Sequence, residues 1–148
     1  IEALWAQGEH LNFFANLGWL DTEYDTPLST TLNSRQQAHA PRYQFAVGGQ
    51  LQISEYLSVS MDVEGKDKFY LSSSHHEQSQ SYQLINANLV YASSAWELSV
   101  WARNLTDEEV IVRGFGGFGN DPRKYYQTEP YYQMGEPRTF GVSGQYAF

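Results

Sequence analysis

The sequence predicts an all-β protein, an antiparallel meander with the strand pattern of a transmembrane β-barrel. Three observations carry that expectation: strict apolar/polar alternation in segment after segment, loops that alternate short and long along the chain, and an aromatic content high for so polar a composition. The 148 residues include 11 Tyr, 8 Phe and 4 Trp, while the mean hydropathy is only −0.52. Alternating faces cancel in any such average, so a polar mean is compatible with membrane strands. No apolar run approaches the roughly 20 residues a membrane helix needs.

The strands are read in order. Ile1 to Trp5 is a stub. From Leu11 to Tyr24, Phe13, Ala15, Leu17 and Trp19 share one face and Asn12, Asn16 and Gly18 the other, with Phe14 and Leu20 as exceptions. In Tyr43 to Ile53 the odd positions are apolar or Gly and the even ones mostly Gln. Leu57, Val59, Met61 and Val63 oppose Ser58, Ser60, Asp62 and Glu64. Ile85, Ala87, Leu89 and Tyr91 oppose Asn86 and Asn88, and Trp96, Leu98, Val100 and Ala102 oppose Glu97, Ser99 and Arg103. Finally Phe140, Val142, Tyr146 and Phe148 oppose Thr139, Ser143 and Gln145. A period of two is the mark of a strand with chemically different faces. Seven strand segments result, with no convincing helix.

The connections are short (6–10), long (25–41), short (54–55), medium (71–80), short (92–95) and very long (106–137). All tight turns therefore fall on one rim of the meander and all long loops on the other, as in outer-membrane barrels. The apolar face then meets lipid and the Gln/Ser/Asn/Asp face lines a wet or plugged lumen. Tyr24, Tyr43, Phe69, Tyr70, Tyr82 and Tyr91 fall near strand ends, where aromatic girdles sit. The alternative is a soluble up-and-down barrel with the apolar face inward and an apolar ligand inside, or a non-transporting structural outer-membrane barrel.

Composition narrows the chemistry. Without cysteine there is no disulfide scaffold, thiolate zinc site or cysteine nucleophile. A net charge of −8, from 9 Lys+Arg against 17 Asp+Glu with no basic run, argues against nucleic acid as a partner. Gly114-Phe115-Gly116-Gly117-Phe118-Gly119 satisfies G-x-G-x-x-G in form, but Asn120-Asp121-Pro122 follows, which makes turns instead of opening a helix. His75 and His76 are adjacent and on extended chain point to opposite sides, so no metal site is expected there. His10 and His39 stand alone. Asp21, Asp62 and Glu64 are read as wetted lumenal carboxylates, not an acid–base pair. No catalytic residue and no cofactor are expected, and the chain is not read as an enzyme.

The end of the sequence adds a resemblance. Val100-Trp101-Ala102-Arg103-Asn104-Leu105-Thr106-Asp107-Glu108-Glu109, followed by Gly135-Glu136-Pro137-Arg138-Thr139-Phe140-Gly141-Val142-Ser143 and the run to Phe148, resembles the C-terminus of TonB-dependent outer-membrane receptors. Phe14-Ala15-Asn16-Leu17-Gly18-Trp19-Leu20-Asp21-Thr22-Glu23-Tyr24 and His39-Ala40-Pro41-Arg42-Tyr43 resemble earlier stretches of that family. The resemblance implies a barrel of about 22 strands around an N-terminal plug, in a Gram-negative outer membrane. Such a receptor takes up a scarce nutrient, most often an iron–siderophore complex, driven by TonB. Residues 1–148 would then be the C-terminal segment, supplying the last six to seven strands. The start at Ile1, without Met or signal-peptide features, fits a chain cut from something longer.

Two sets of site residues follow. Phe140, Val142, Tyr146 and Phe148 resemble the C-terminal signal read by the barrel assembly machinery, which captures a strand by strand addition. The 106–137 loop carries the ligand candidates Arg113, Phe115, Phe118, Tyr125, Tyr126, Tyr131 and Tyr132, with Arg123 and Lys124 among them. Loops of this length are usually functional or disordered, and Tyr and Arg favour binding hot spots. Outer-membrane lipid and lipopolysaccharide are the surrounding partners, and TonB would act through the N-terminal region.

Overall fold

A computed structural model describes residues 1–25, 32–116 and 120–147; Phe118 and Phe148 lie outside the described residues. The strands are β1 (Glu2–Gln7), β2 (Leu11–Trp19), β3 (Tyr43–Gln52), β4 (Leu57–Lys66), β5 (Tyr82–Ala92), β6 (Trp96–Arg103), β7 (Ile111–Phe115), β8 (Tyr131–Met134) and β9 (Thr139–Tyr146). Seven of them form one antiparallel sheet in the order β1-β2-β3-β4-β5-β6-β9, while β7 and β8 pair in a separate hairpin. The sheet is open, with β1 and β9 at its edges. Among the described residues the only helical turn is the 3-10 segment Pro122–Lys124.

The expected strands are present with small changes of boundary. The segment expected to reach Tyr24 stops at Trp19, although Leu20 N–H still donates to Arg42 O at 2.8 Å and extends the β2–β3 ladder by one step. The 106–137 connection is not structureless, because it contains β7 and β8. Short alternating runs of five and four residues give too little periodicity to register against a Gly-rich background.

Register turns seven separate alternations into two continuous faces. Phe13 pairs with Gly49, which pairs with Met61, then Ala87 and Ala102. One row away, Leu51, Val59, Leu89, Val100 and Val142 lie side by side. Every Gln, Ser, Asp or Glu that the sequence set opposite an apolar residue falls on the other face, since a one-residue slip would have inverted a whole strand. Glycines in the rows make room for aromatic neighbours. A Cβ on Gly49 would sit 2.6 Å from the Phe13 ring and one on Gly65 2.4 Å from Phe45 on the apolar face. On the polar face Gly48 and Gly141 make way for Phe14 and Trp101 at 2.6 and 2.5 Å.

The apolar face is uncovered. Phe140 is 78% exposed, Val142 75% and Trp19 68%, and no second layer packs on them among the described residues. The aliphatic rows occupy the middle of this face. Its turn-side margin carries Tyr56, Tyr91, Trp96 and Tyr146, with ring centroids 6.2 Å apart for Tyr56–Tyr91 and 4.7 Å for Trp96–Tyr146. Trp19 pairs with Tyr43 at the loop-side margin. Aromatics with polar tips at both margins and aliphatics between them are what a slab of hydrocarbon with two wet boundaries selects; a dry interior gives no reason for that order. The expected girdle is corrected at four positions: Tyr24, Phe69 and Tyr70 belong to the loop connections, where Tyr24 bonds to Ser34 and Arg35 and Phe69 is buried, and Tyr82 lies on the polar face.

Strands of 8–11 residues tilted near 45° reach about 20–25 Å, the height of such a band. In lipid vesicles, Val100→Lys in the middle apolar row should lower unfolding stability by about 2–4 kcal/mol, whereas Ser99→Lys beside it on the polar face should change it by less than about 1 kcal/mol. Guanidinium titration followed by tryptophan fluorescence checks both; equal effects would contradict the assignment of faces.

Candidate functional site

The long connections 20–42, 67–81 and 104–138 leave the same rim and pack into a layer of their own, and that layer holds the molecule's buried core. Phe69, Leu71 and Val110 are the buried hydrophobic residues among those described, with Leu71 fully enclosed. The segment folds back on itself: Leu71 N–H donates to Glu77 O at 3.0 Å, Ser79 N–H to Phe69 O at 2.9 Å, and Phe69 N–H to the buried Ser79 Oγ at 3.1 Å. The β7–β8 hairpin lies against it. Gly114 fits there because a Cβ would stand 2.4 Å from that of Leu71.

Side chains from all three connections lock the layer. His39, at φ +58°, donates its N–H to Tyr70 O at 2.9 Å and sets its ring 5.8 Å from Phe69. Burial and the neighbouring Arg113 guanidinium hold its imidazole below the usual histidine range, against the Gly114 carbonyl, which favours the charged form. His75 accepts from Glu77 N–H at Nδ1 (3.2 Å) and approaches Phe115 O through Nε2 (3.2 Å), so its ring joins loop to hairpin. Among the described residues no group of three His, Asp or Glu could hold a metal ion.

Arg35 is the buried cation of the layer. Its Nη1 donates to His75 O at 2.9 Å and its Nη2 to Ser72 O at 2.8 Å, while the guanidinium lies 4.4 Å above the Tyr70 ring. Nε has no partner. The sequence offered no periodicity or motif to single out Arg35, since it stands in an irregular Ser/Arg/Gln stretch.

The Asn-Leu-Thr-Asp turn has a physical role. Asn104, buried at φ +49°, donates from Nδ2 to Glu108 O (2.9 Å) and Glu136 O (3.1 Å) and accepts at Oδ1 from Glu108 N–H (2.9 Å). Its own N–H donates to Asn86 Oδ1, and Asn86 Nδ2 donates to Asp62 Oδ2 at 2.8 Å. Asp107 accepts Arg138 N–H at 3.0 Å and pairs with the Arg138 guanidinium at 3.6 Å. Arg103 adds a 3.9 Å pair to Glu136. Both ends of the 104–138 connection are thus fastened together where β6 leaves and β9 begins. Of the lumenal carboxylates read from the sequence, Asp62 is one end of this network on the polar face.

The ligand candidates separate. Arg113 and Phe115 share one side of β7, the guanidinium 4.9 Å over the ring, and Tyr131 pairs with Phe115 across the hairpin. Tyr132 pairs with Gly114, one position out of step. Tyr125 and Tyr126, both at φ +56°, stand at the hairpin's far end, 91% and 69% exposed. Arg123 binds Asp121, holding its carboxyl below the usual range, and Lys124 binds Glu129. Phe118 lies outside the described residues. Phe140, Val142 and Tyr146 project in one row of the edge strand β9; Phe148 lies outside the described residues.

Solved structures share this fold. The chain is similar to the siderophore receptor PiuA from Acinetobacter baumannii (TM-score 0.75, 16% identity, 95% of this chain and 20% of that one). It is similar also to the ferric yersiniabactin uptake receptor FyuA from Yersinia pestis (TM-score 0.81, 19% identity, 99% and 22%). A third is the ferric enterobactin receptor PfeA from Pseudomonas aeruginosa, solved with enterobactin (TM-score 0.67, 17% identity, 97% and 21%). The chain spans about a fifth of the length of these structures. No protein-family model matches the chain.

Replacing Asn104 by Ala removes the three side-chain bonds and leaves a left-handed backbone without its favoured residue. A loss of about 2–4 kcal/mol is expected, seen as faster hydrogen exchange at 105–110 and 136–142 with β2–β4 unchanged. Asn104→Gly keeps the backbone and loses the bonds, so it should give most of the same effect. Unaltered exchange in both variants would contradict the fastening role.

Proposed function

We propose that residues 1–148 are the C-terminal wall of a TonB-dependent receptor in a Gram-negative outer membrane, a transporter of iron–siderophore complexes and not an enzyme. The observation that carries the proposal is the uninterrupted apolar face across seven strands with nothing among the described residues packed on it, together with one loop-rich rim. Such a face needs an apolar medium, which the hydrocarbon of a bilayer supplies, and such a rim matches the long-loop side of an outer-membrane barrel. The fold shared with proteins named as siderophore or ferric-siderophore receptors supports the reading. In this proposal further strands and a plug precede Ile1, and TonB acts through them.

The geometry supports a division of labour. The loop layer, with its own core, presents the Arg113/Phe115/Tyr131 side of the hairpin as a firm aromatic and cationic surface for a bulky polar complex. The polar face below, with Asn16, Gln44, Glu64 and Lys66 around one hollow, offers hydrogen bonds along the lumen. Lipid and lipopolysaccharide surround the apolar face. The β9 row Phe140, Val142 and Tyr146, on the outermost strand of the sheet, is what the assembly machinery would take hold of. A soluble barrel with a ligand inside is disfavoured by the polar-tipped aromatics at both margins of the apolar face.

The test uses the whole receptor that contains this segment, in iron-starved cells given radio-iron-loaded catecholate, hydroxamate and carboxylate siderophores. Deleting 111–134 should abolish uptake of the ligand the intact receptor takes, while the barrel still reaches the outer membrane. Undiminished uptake would overturn the role given to the hairpin, and no uptake of any ferric ligand by the intact receptor would overturn the proposal.

A further inference from the structure

Of the chain's nine Lys and Arg, four meet a carboxylate and five, Arg35, Arg42, Lys66, Lys68 and Arg113, do not among the described residues. Arg103, Arg123, Lys124 and Arg138 each meet a carboxylate, and all four lie between β6 and β9 or at the end of β6. Arg35, Arg42 and Lys68 have no carboxylate partner among the described residues, and the undescribed segments 26–31 and 117–119 contain no Asp or Glu. These three converge on one cleft of about 430 Å³, where Asp67 is the one carboxylate among the described lining residues. In a molecule of charge −8 this is a local excess of positive charge.

The backbone fixes where the cleft opens. Leu20 N–H donates to Arg42 O (2.8 Å) and Asp67 N–H to Tyr43 O (3.0 Å), so both ladders run past the ends of the strands. Arg42 and Lys68 therefore keep the parity of Gln44 and Lys66, which pair on the polar face. They are like charges at neighbouring positions, an arrangement that costs stability on a sheet unless something neutralises it. Behind them stands Arg35, only 6% exposed, its two Nη groups on carbonyl oxygens and its Nε unpartnered. Buried charges are ordinarily paired, and no carboxylate among the described residues pairs with this one. Asp67, which also lines the cleft, has its Oδ1 engaged by Lys68 N–H at 2.9 Å.

We infer that the cleft between 34–42 and 67–78 is an oxyanion-binding subsite at the loop end of the polar face, completed by a carboxylate or phosphate group of a soluble ligand. Arg42 offers a planar fork and Lys68 a point charge to the anion. Arg35, held by Ser72, His75 and Tyr70, contributes its charge from below without touching the ligand. That the anion belongs to the transported complex rests on the receptor reading; the cleft's preference for an oxyanion does not. Lipid headgroups would approach from the apolar face, which is why a soluble source is favoured over lipopolysaccharide phosphate.

The test is calorimetric titration of the full chain in detergent micelles with citrate and with inorganic phosphate. Saturable one-site binding that weakens with added salt is expected. Arg42→Ala and Lys68→Ala should each weaken it ~10-fold, the loss of one charge-assisted hydrogen bond. Arg123→Ala, which removes a cation already paired to Asp121, should leave it unchanged. Arg35→Met should weaken binding too, and hydrogen exchange at 69–79 tells whether the loop still folds in that variant. No saturable binding, or binding equal in the Arg42/Lys68 double variant, would overturn the inference. So would binding to vesicles bearing lipid A phosphates with none to citrate or phosphate. Uptake by the whole receptor that survives the double variant sinks only the link between the cleft and the transported complex; an intact receptor without uptake sinks only the receptor reading, because the titration decides the cleft.

Discussion

A single-layer sheet has two faces and nothing of its own to cover either, and that constraint organises this molecule. Burial of apolar surface is the main driving force for folding, yet the sheet here leaves Val47, Leu51, Met61, Leu89, Val100 and Val142 open. Hydrogen bonds between strands satisfy the backbone along the ladders, and the side chains on one face must find an apolar medium outside the chain. A bilayer satisfies both requirements, because every spanning backbone group needs an internal partner and every outward side chain needs hydrocarbon. Read that way, the low mean hydropathy is the sum of two faces in different solvents.

The loop layer is the counterpart. It stands beyond the rim, where water is on hand, and so has to build an ordinary interior. Phe69, Leu71 and Val110 do this on a small scale, with Gly114 allowing the hairpin to come close. The Asn104 turn couples the two regimes: through Asn86 and Asp62 it reaches down the polar face, and through Glu108, Glu136 and Arg138 it gathers both ends of the long connection. The start of the last strand is thereby fixed to the end of the one before it, although a long excursion separates them. Arg35 and the cationic cleft sit at the same junction, where polar lumen and folded loops meet.

How much of this was legible in the sequence depended on the kind of interaction. Alternation located the seven sheet strands because a strand with unlike faces must alternate, and it missed β7 and β8 because Ile111–Phe115 and Tyr131–Met134 are too short to establish a period. Phe69 read as a girdle residue because its neighbour Tyr70 and its position near a strand end fit that role; only the fold-back onto Ser79 shows it to be core. The tyrosines of the hairpin were named together, yet register separates Tyr131 from Tyr132 and leaves Tyr125 and Tyr126 at the tip. Asn104 could be found as part of a motif but not explained, since its partners Asn86 and Glu136 lie far away in sequence. Arg35 was invisible, as a long-range partnership with carbonyl oxygens leaves no local trace.

The four tryptophans provide the most direct test, because three of them lie on one face and one on the other: Trp5, Trp19 and Trp96 share the apolar face, and Trp101 the polar one. Versions of the chain that each keep a single tryptophan, the others being replaced by Phe, can be refolded into vesicles containing brominated lipids. Quenching by the lipid of Trp5, Trp19 and Trp96 but not Trp101, with acrylamide in the aqueous phase quenching Trp101 preferentially, is the predicted result. Lipid quenching of Trp101 with the other three shielded, or no lipid quenching at any position, would contradict the assignment of the apolar face to the membrane.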